Sequence, residues 1–158
     1  MMTISHALPG MMLAIPEIFL GFAICVVLLF EVFVGVKRPG ATATLTLVVL
    51  VVGAALTARY ADVSQQTVLF DGMYVADPLA FVLKLAGFLF VAVGLLYSRM
   101  YLENRNILRG EYYVLALTAL LGIFVLVSAN SLLTVYMGVE LLALSVYAMV
   151  AFDRDSGI

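Results

Sequence analysis

The chain has 158 residues, of which 65% are hydrophobic and 11% are charged, and its formal net charge is −2. A soluble domain has about 45–50% apolar and about 25% charged residues, so this composition leaves too little polar surface for a globule in water. It excludes a soluble enzyme, a nucleic-acid-binding protein and a disordered tail. The sequence is typical of an integral membrane protein, and a lipid bilayer is its first expected partner.

Five apolar runs have roughly the 20-residue length that a membrane-spanning helix requires. They cover residues 15–36, 42–58, 78–97, 113–129 and 132–152. Residues that end helices separate them, such as Lys37-Arg38-Pro39-Gly40 after the first run and Ser128–Ser131 before the last. The pattern predicts an all-α integral membrane fold in which residues 1–158 form a single region of five transmembrane helices.

The longest loop, residues 59–77, has a regular pattern of its own. Two short segments of β type, Thr67–Phe70 and Met73–Ala76, flank Asp71-Gly72. An Asp-Gly pair favours the type I′ turn that joins two antiparallel strands. We therefore predict a small β-hairpin in this loop, with an irregular loop as the alternative.

Lysine and arginine residues are distributed unequally between the two sets of loops. If the N-terminus lies outside, only Arg59 is on the outer side. Six residues then face the cytoplasm: Lys37, Arg38, Arg99, Arg105, Arg109 and Arg154. Because cytoplasmic loops are enriched in Lys and Arg, we predict an outer N-terminus, a cytoplasmic C-terminus and a hairpin on the outer side.

Glu140 is the deepest of three ionisable residues within the apolar runs, where a charge costs at least ~2.5–3.5 kcal/mol. It lies about 12 Å from the start of its run at about 1.5 Å per residue. We predict that Glu140 is a proton-transfer carboxylate; the alternative is a protonated Glu that joins helices by a hydrogen bond. Tyr136 and Tyr147 lie on roughly the same side of the helix.

Lys84 lies six residues into the third run, about 9 Å deep, and allows two interpretations. Its long side chain can extend to the membrane surface, or it faces the bundle interior and exchanges charge with an acid at its own level. Glu17 and Asp77 stand at the ends of runs, where helix capping and solvation account for them.

Glu31, the third ionisable residue, lies near the inner end of the first run, and we expect its carboxylate to reach the headgroup zone near Lys37 and Arg38. The single cysteine, Cys25, and the single histidine, His6, are too few for a Cys/His metal site. No metal site is therefore predicted.

Several short motifs, none decisive alone, follow one another along almost the whole chain. They are Pro16-Glu17-Ile18, Asp77-Pro78-Leu79 followed by Lys84, Gly110-Glu111-Tyr112-Tyr113, Ser128–Thr134 and Gly138-Val139-Glu140-Leu141-Leu142-Ala143-Leu144. In order and spacing the sequence resembles the N-terminal third of the subunit N family of the bacterial proton-translocating NADH:quinone oxidoreductase, respiratory complex I. The segment around Glu140 is the most specific part of the resemblance.

The resemblance implies an antiporter-like subunit of about fourteen helices in the bacterial plasma (inner) membrane. Its partners would be the other membrane-arm subunits of complex I. In the family, the fifth-span glutamate matches Glu140 and is taken to modulate a lysine in the seventh span. The chain itself would bind no cofactor and would be a non-redox subunit of a translocase, whereas the complex uses NADH, FMN, iron–sulfur clusters and quinone.

The chain ends at Ile158, just after the fifth run. By the resemblance it holds three leading helices and the first two helices of an inverted repeat, so we expect an N-terminal fragment or one product of a split gene. The rest of its own subunit would then be a further partner. Two alternatives stay open: a subunit of a multi-subunit cation/proton antiporter without redox partners, and a structural membrane-assembly protein.

Overall fold

A computed structural model describes residues 12–35, 39–60, 67–104 and 110–151. It contains the helices α1 (Ile15–Phe33), α2 (Pro39–Arg59), α3 (Pro78–Asn104), α4 (Glu111–Val127) and α5 (Leu132–Ala151), with the strands β1 (Thr67–Leu69) and β2 (Tyr74–Ala76) between α2 and α3. The predicted helical fold with one small hairpin is confirmed.

Four of the helices, α1, α2, α3 and α5, are long and apolar enough to cross a membrane, and α4 is a shorter apolar helix of 17 residues. The helix ends differ from the ends of the apolar runs. The helix α3 continues to Asn104, beyond the end of the predicted run at residue 97. The helix α2 already begins at Pro39, because proline fits the first position of a helix. Residues 36 and 152 lie outside the described part of the chain.

The helix α4 is the centre of the bundle and packs against each of the other four helices. Leu117, Leu120 and Phe124 on this helix are fully buried, and the Phe124 ring meets the Phe88 ring of α3 edge to face, with centroids 4.9 Å apart. The other helices keep large apolar side chains exposed on their outer faces. Such faces suit lipid or further helices, as expected for a membrane protein.

The helices α4 and α5 cross at two glycines. A methyl group added to Gly122 would lie 2.8 Å from the backbone nitrogen of Leu142, and one added to Gly138 would lie 3.0 Å from the backbone nitrogen of Leu126. Small residues at such a crossing let two helix backbones approach closely in a membrane.

Replacing Gly122 with alanine should therefore push α5 away from α4 and destabilise the protein by about 1–3 kcal/mol. Thermal or denaturant unfolding in detergent measures the change. The matched control is Gly94→Ala in α3, where an added methyl group meets nothing within 4 Å. The control should be neutral or slightly stabilising, and equal effects of the two substitutions would contradict the close crossing.

The hairpin has the predicted turn but shorter strands. Asp71 and Gly72 have φ angles of 53° and 89°, and positive φ at both central residues is what a type I′ turn requires. Phe70 also has a φ of 53°, which is outside the β region. The strand ladder consequently stops at the Leu69–Tyr74 pair, one residue before the predicted limit on each side.

The turn between α4 and α5 pairs with the hairpin. The Val75 N–H donates to the Ser128 carbonyl at 2.9 Å, the Asn130 N–H donates to the Met73 carbonyl at 3.1 Å, and Ala129 forms an antiparallel bridge with Tyr74. This pairing explains why α4 ends at residue 127 although the apolar run continues to residue 129.

Candidate functional site

Lys84 is buried at the hairpin end of the bundle and forms an ion pair with Glu17. The Lys84 Nζ lies 2.5 Å from the Glu17 Oε1, and the two side chains are 5% and 13% exposed. The prediction that capping and solvation account for Glu17 is therefore wrong: Glu17 stands in the first turn of α1, but its carboxylate points into the bundle. For Asp77 the prediction holds, since its Oδ1 accepts a hydrogen bond from the Ala80 N–H at 2.6 Å.

Tyr74 of β2 completes this cluster. Its hydroxyl lies 3.0 Å from the Lys84 Nζ, 3.1 Å from the Glu17 Oε1 and 3.1 Å from the Leu13 carbonyl oxygen. Burial, with a further contribution from the Glu17 carboxylate, raises the pKa of the Tyr74 hydroxyl well above its usual range. The hydroxyl thus stays protonated: it accepts from the lysine and donates to one of the two oxygens.

Ser128, the residue that follows α4, adds a weaker contact to the same carboxylate. Its hydroxyl donates to the Glu17 Oε1 at 3.4 Å, and Ser128 is fully buried. A cavity of about 30 Å³ also borders the cluster and is lined by Thr57, Asp77 and Lys84 among others. This space suffices for about one water molecule.

Glu140 lies near the middle of α5, and its side chain is partly exposed. Tyr136, one helical turn earlier, interacts with its carboxylate through its hydroxyl. Exposed apolar side chains surround this pair on α5, and the buried residues of the helix are Gly138 and Ser145. Within the described residues, the structure does not bring Glu140 and Lys84 into contact, so the acid beside Lys84 is Glu17.

Glu31 lies at the opposite end of the bundle from the hairpin. Its Oε2 accepts a hydrogen bond from the Thr42 hydroxyl of α2. A methyl group on Gly35 or on Gly110 would overlap the carboxylate, so the two glycines form the cradle in which it lies. Its expected neighbours, residues 37 and 38, lie outside the described part of the chain.

The groups that the cluster and α5 present are carboxylates, one amine and hydroxyls, which can take up, hold and release protons. Among the described residues, no group of three or more His, Cys, Asp or Glu side chains lies close enough together to hold a metal ion. The geometry therefore provides sites for protons and charge.

Three curated relatives that the chain matches carry the same name, NADH-quinone oxidoreductase subunit N. The chain is 47% identical, over 98% of its length, to NADH-quinone oxidoreductase subunit N of Alkalilimnicola ehrlichii. The chain matches the N-terminal portion of subunit N. Identity is 44% over 94% of the chain for subunit N of Thioalkalivibrio sulfidiphilus, and 49% over 90% for that of Acidithiobacillus ferrooxidans. No protein-family model matches the chain.

The match confirms the resemblance to subunit N that the sequence motifs predicted. The chain spans about a third of the length of these curated relatives, 31%, 31% and 29% for the three named. The relatives are bacterial proteins, and the apolar helices have membrane-spanning length, so a multi-pass protein of the bacterial inner membrane is confirmed as well. The orientation of the termini and the proton-transfer roles of Glu140 and Lys84 stay predictions.

Proposed function

We propose that this chain is the N-terminal part of a membrane-arm subunit of NADH:quinone oxidoreductase and takes part in proton translocation coupled to electron transfer from NADH to quinone. The observation that carries the proposal is the 47% identity to subunit N over 98% of the chain. The exposed apolar faces of the helices support a place in the lipid bilayer beside further helices of the same subunit and other membrane-arm subunits.

Glu140 is the group that we propose changes its protonation state during translocation. A cation that approaches a carboxylate favours its ionised form, and withdrawal of the cation favours the protonated form. Such a cation would come from helices that follow in the longer subunit, because the Glu140 side of α5 is not covered by the described residues. In this proposal the Tyr136 hydroxyl, which interacts with Glu140, would pass a proton to or from the carboxylate.

The chain acts in this proposal as a non-redox subunit. Its titratable side chains move protons, and NADH, FMN, iron–sulfur clusters and quinone are bound by other subunits of the complex. Lys84 has a secondary role, as a charge held by Glu17 and Tyr74 at the hairpin end of the bundle.

Purification of the full-length protein under mild detergent tests the proposal against the antiporter alternative. We expect a tagged protein to co-purify with flavin absorbance, the paramagnetic signals of iron–sulfur clusters and NADH:ferricyanide activity, in one band on a native gel. An untagged strain, treated identically, is the control. Isolation with membrane proteins alone, together with cation/proton exchange in proteoliposomes, would favour the antiporter instead.

A further inference from the structure

One oxygen atom joins four parts of the bundle. The Glu17 Oε1 of α1 contacts the Lys84 Nζ of α3, the Tyr74 hydroxyl of β2 and the Ser128 hydroxyl after α4. A buried carboxylate with a cation and two hydroxyls around one oxygen is held firmly, because loss of any partner leaves desolvated polar groups unsatisfied. The hairpin is therefore anchored to the bundle through Tyr74.

The anchored hairpin in turn holds the start of α5. Beyond the backbone pairing described above, the Asn130 side-chain amide donates to the Gly72 carbonyl at 2.8 Å, and the Thr134 hydroxyl of α5 donates to the Met73 carbonyl at 3.1 Å. We call this arrangement, made of Glu17, Lys84, Tyr74 and the hairpin–turn hydrogen bonds, the hairpin clip.

Among the described elements, packing on α4 and the hydrogen bonds of the hairpin clip together set the rotation of α5. Its packing on α4 centres on the crossing of Gly122 and Gly138, where the Leu126 side chain lies against Gly138. The clip holds the end of α5 that precedes this crossing. A side-chain tip lies about 5–6 Å from a helix axis, so a rotation of 30° about that axis displaces it by about 3 Å. The direction in which Glu140 points depends on such a rotation.

We propose that Glu17, Lys84 and Tyr74 are positioning residues for Glu140: through the hairpin clip they fix the rotation of α5 and hence the direction of the Glu140 carboxylate. This inference rests on the proposed function of Glu140. The buried Glu17–Lys84 ion pair does not contact Glu140. Its effect on Glu140 would be transmitted through Tyr74, the hairpin and the α4–α5 turn.

A reversible disulfide at residue 74 distinguishes a positioning role of Tyr74 from direct proton transfer by its hydroxyl. Tyr74 and Ala129 form an antiparallel bridge flanked by hydrogen bonds from Val75 and Asn130. Residues in such a non-hydrogen-bonded pair have Cα atoms about 4.5 Å apart, within the range that a disulfide spans. In the full-length subunit within its complex, with Cys25 and any other cysteine of the subunit replaced by serine, we compare Tyr74→Cys with Tyr74→Cys/Ala129→Cys.

Tyr74→Cys alone should lower the protons pumped per NADH oxidised by about tenfold, since a misplacement of about 1 Å can cost 10²-fold in transfer rate. The oxidised double variant should recover pumping although it lacks the tyrosine hydroxyl, and dithiothreitol should remove the recovery. Inside-out vesicles with a pH-sensitive dye report pumping, and a gel shift with a thiol reagent reports the disulfide.

Normal pumping by Tyr74→Cys, or a formed disulfide that restores nothing, overturns the proposal. If Tyr74→Cys fails to assemble, the oxidised double variant decides: assembly with pumping supports positioning, and assembly without pumping overturns it. Glu140→Gln in the same background tests the proposed function separately. If that variant pumps normally, the role of Glu140 is wrong whatever the disulfide does.

Discussion

Replacing Glu140 with alanine in the full-length protein should lower coupled proton transport at least about tenfold. A positioned group that accepts and donates a proton contributes about 10²–10⁴-fold to a rate, and alanine has no group that can replace it. Proton uptake by inside-out vesicles during NADH oxidation measures the coupled step. NADH:ferricyanide activity, which does not require the membrane arm, should be unchanged.

The matched control is Glu111→Ala. Glu111 is an exposed carboxylate in the first turn of α4, so its loss should leave pumping intact and lower stability by no more than about 1 kcal/mol through the helix dipole. Tyr136→Phe should give an intermediate effect, because it removes the hydroxyl beside Glu140 and keeps the ring. If the number of protons pumped per electron were unchanged in Glu140→Ala, Glu140 would be a packing residue.

Hydropathy located every helix, because each apolar run is about as long as a bilayer is thick, and this signal needs no knowledge of packing. Hydropathy gave wrong helix ends where the apolar run and the helical hydrogen bonding stop at different residues. Ser98 and Arg99 are polar, so the apolar run stops before them, yet they continue α3 without strain. At α4 the error was in the other direction, since Ala129 leaves the helix to pair with Tyr74, a residue 55 positions earlier in the chain.

The candidate site was only partly predictable, because its contacts also join residues that are far apart in the chain. Lys84 could be singled out because a lone cation within an apolar run is costly anywhere in the membrane. Its partner could not be chosen from the sequence, since Glu17 and Asp77 both stand at helix ends on the predicted outer side. Tyr74 contacts Lys84 and Glu17 only because the hairpin folds back over the bundle. No local pattern specifies that contact.

Replacing Lys84 with methionine should destabilise the full-length protein by about 3–5 kcal/mol, because it leaves the Glu17 carboxylate buried without its cation. A second substitution, Glu17→Gln, removes the stranded charge, so the double variant should recover most of the lost stability. Reversible denaturant unfolding of the purified protein in detergent, measured by thiol labelling, gives the four free energies of the double-mutant cycle.

The size of this effect distinguishes the two interpretations of Lys84. A lysine whose ammonium group reaches the membrane surface would be solvated there, and its loss would cost at most about 1 kcal/mol. Arg59→Met at the exposed end of α2 is the matched control for such a surface cation. If Lys84→Met cost no more than Arg59→Met and the assembled complex pumped normally, Lys84 would be a surface-seeking side chain. A large cost that Glu17→Gln relieves identifies instead a buried pair on which the hairpin depends.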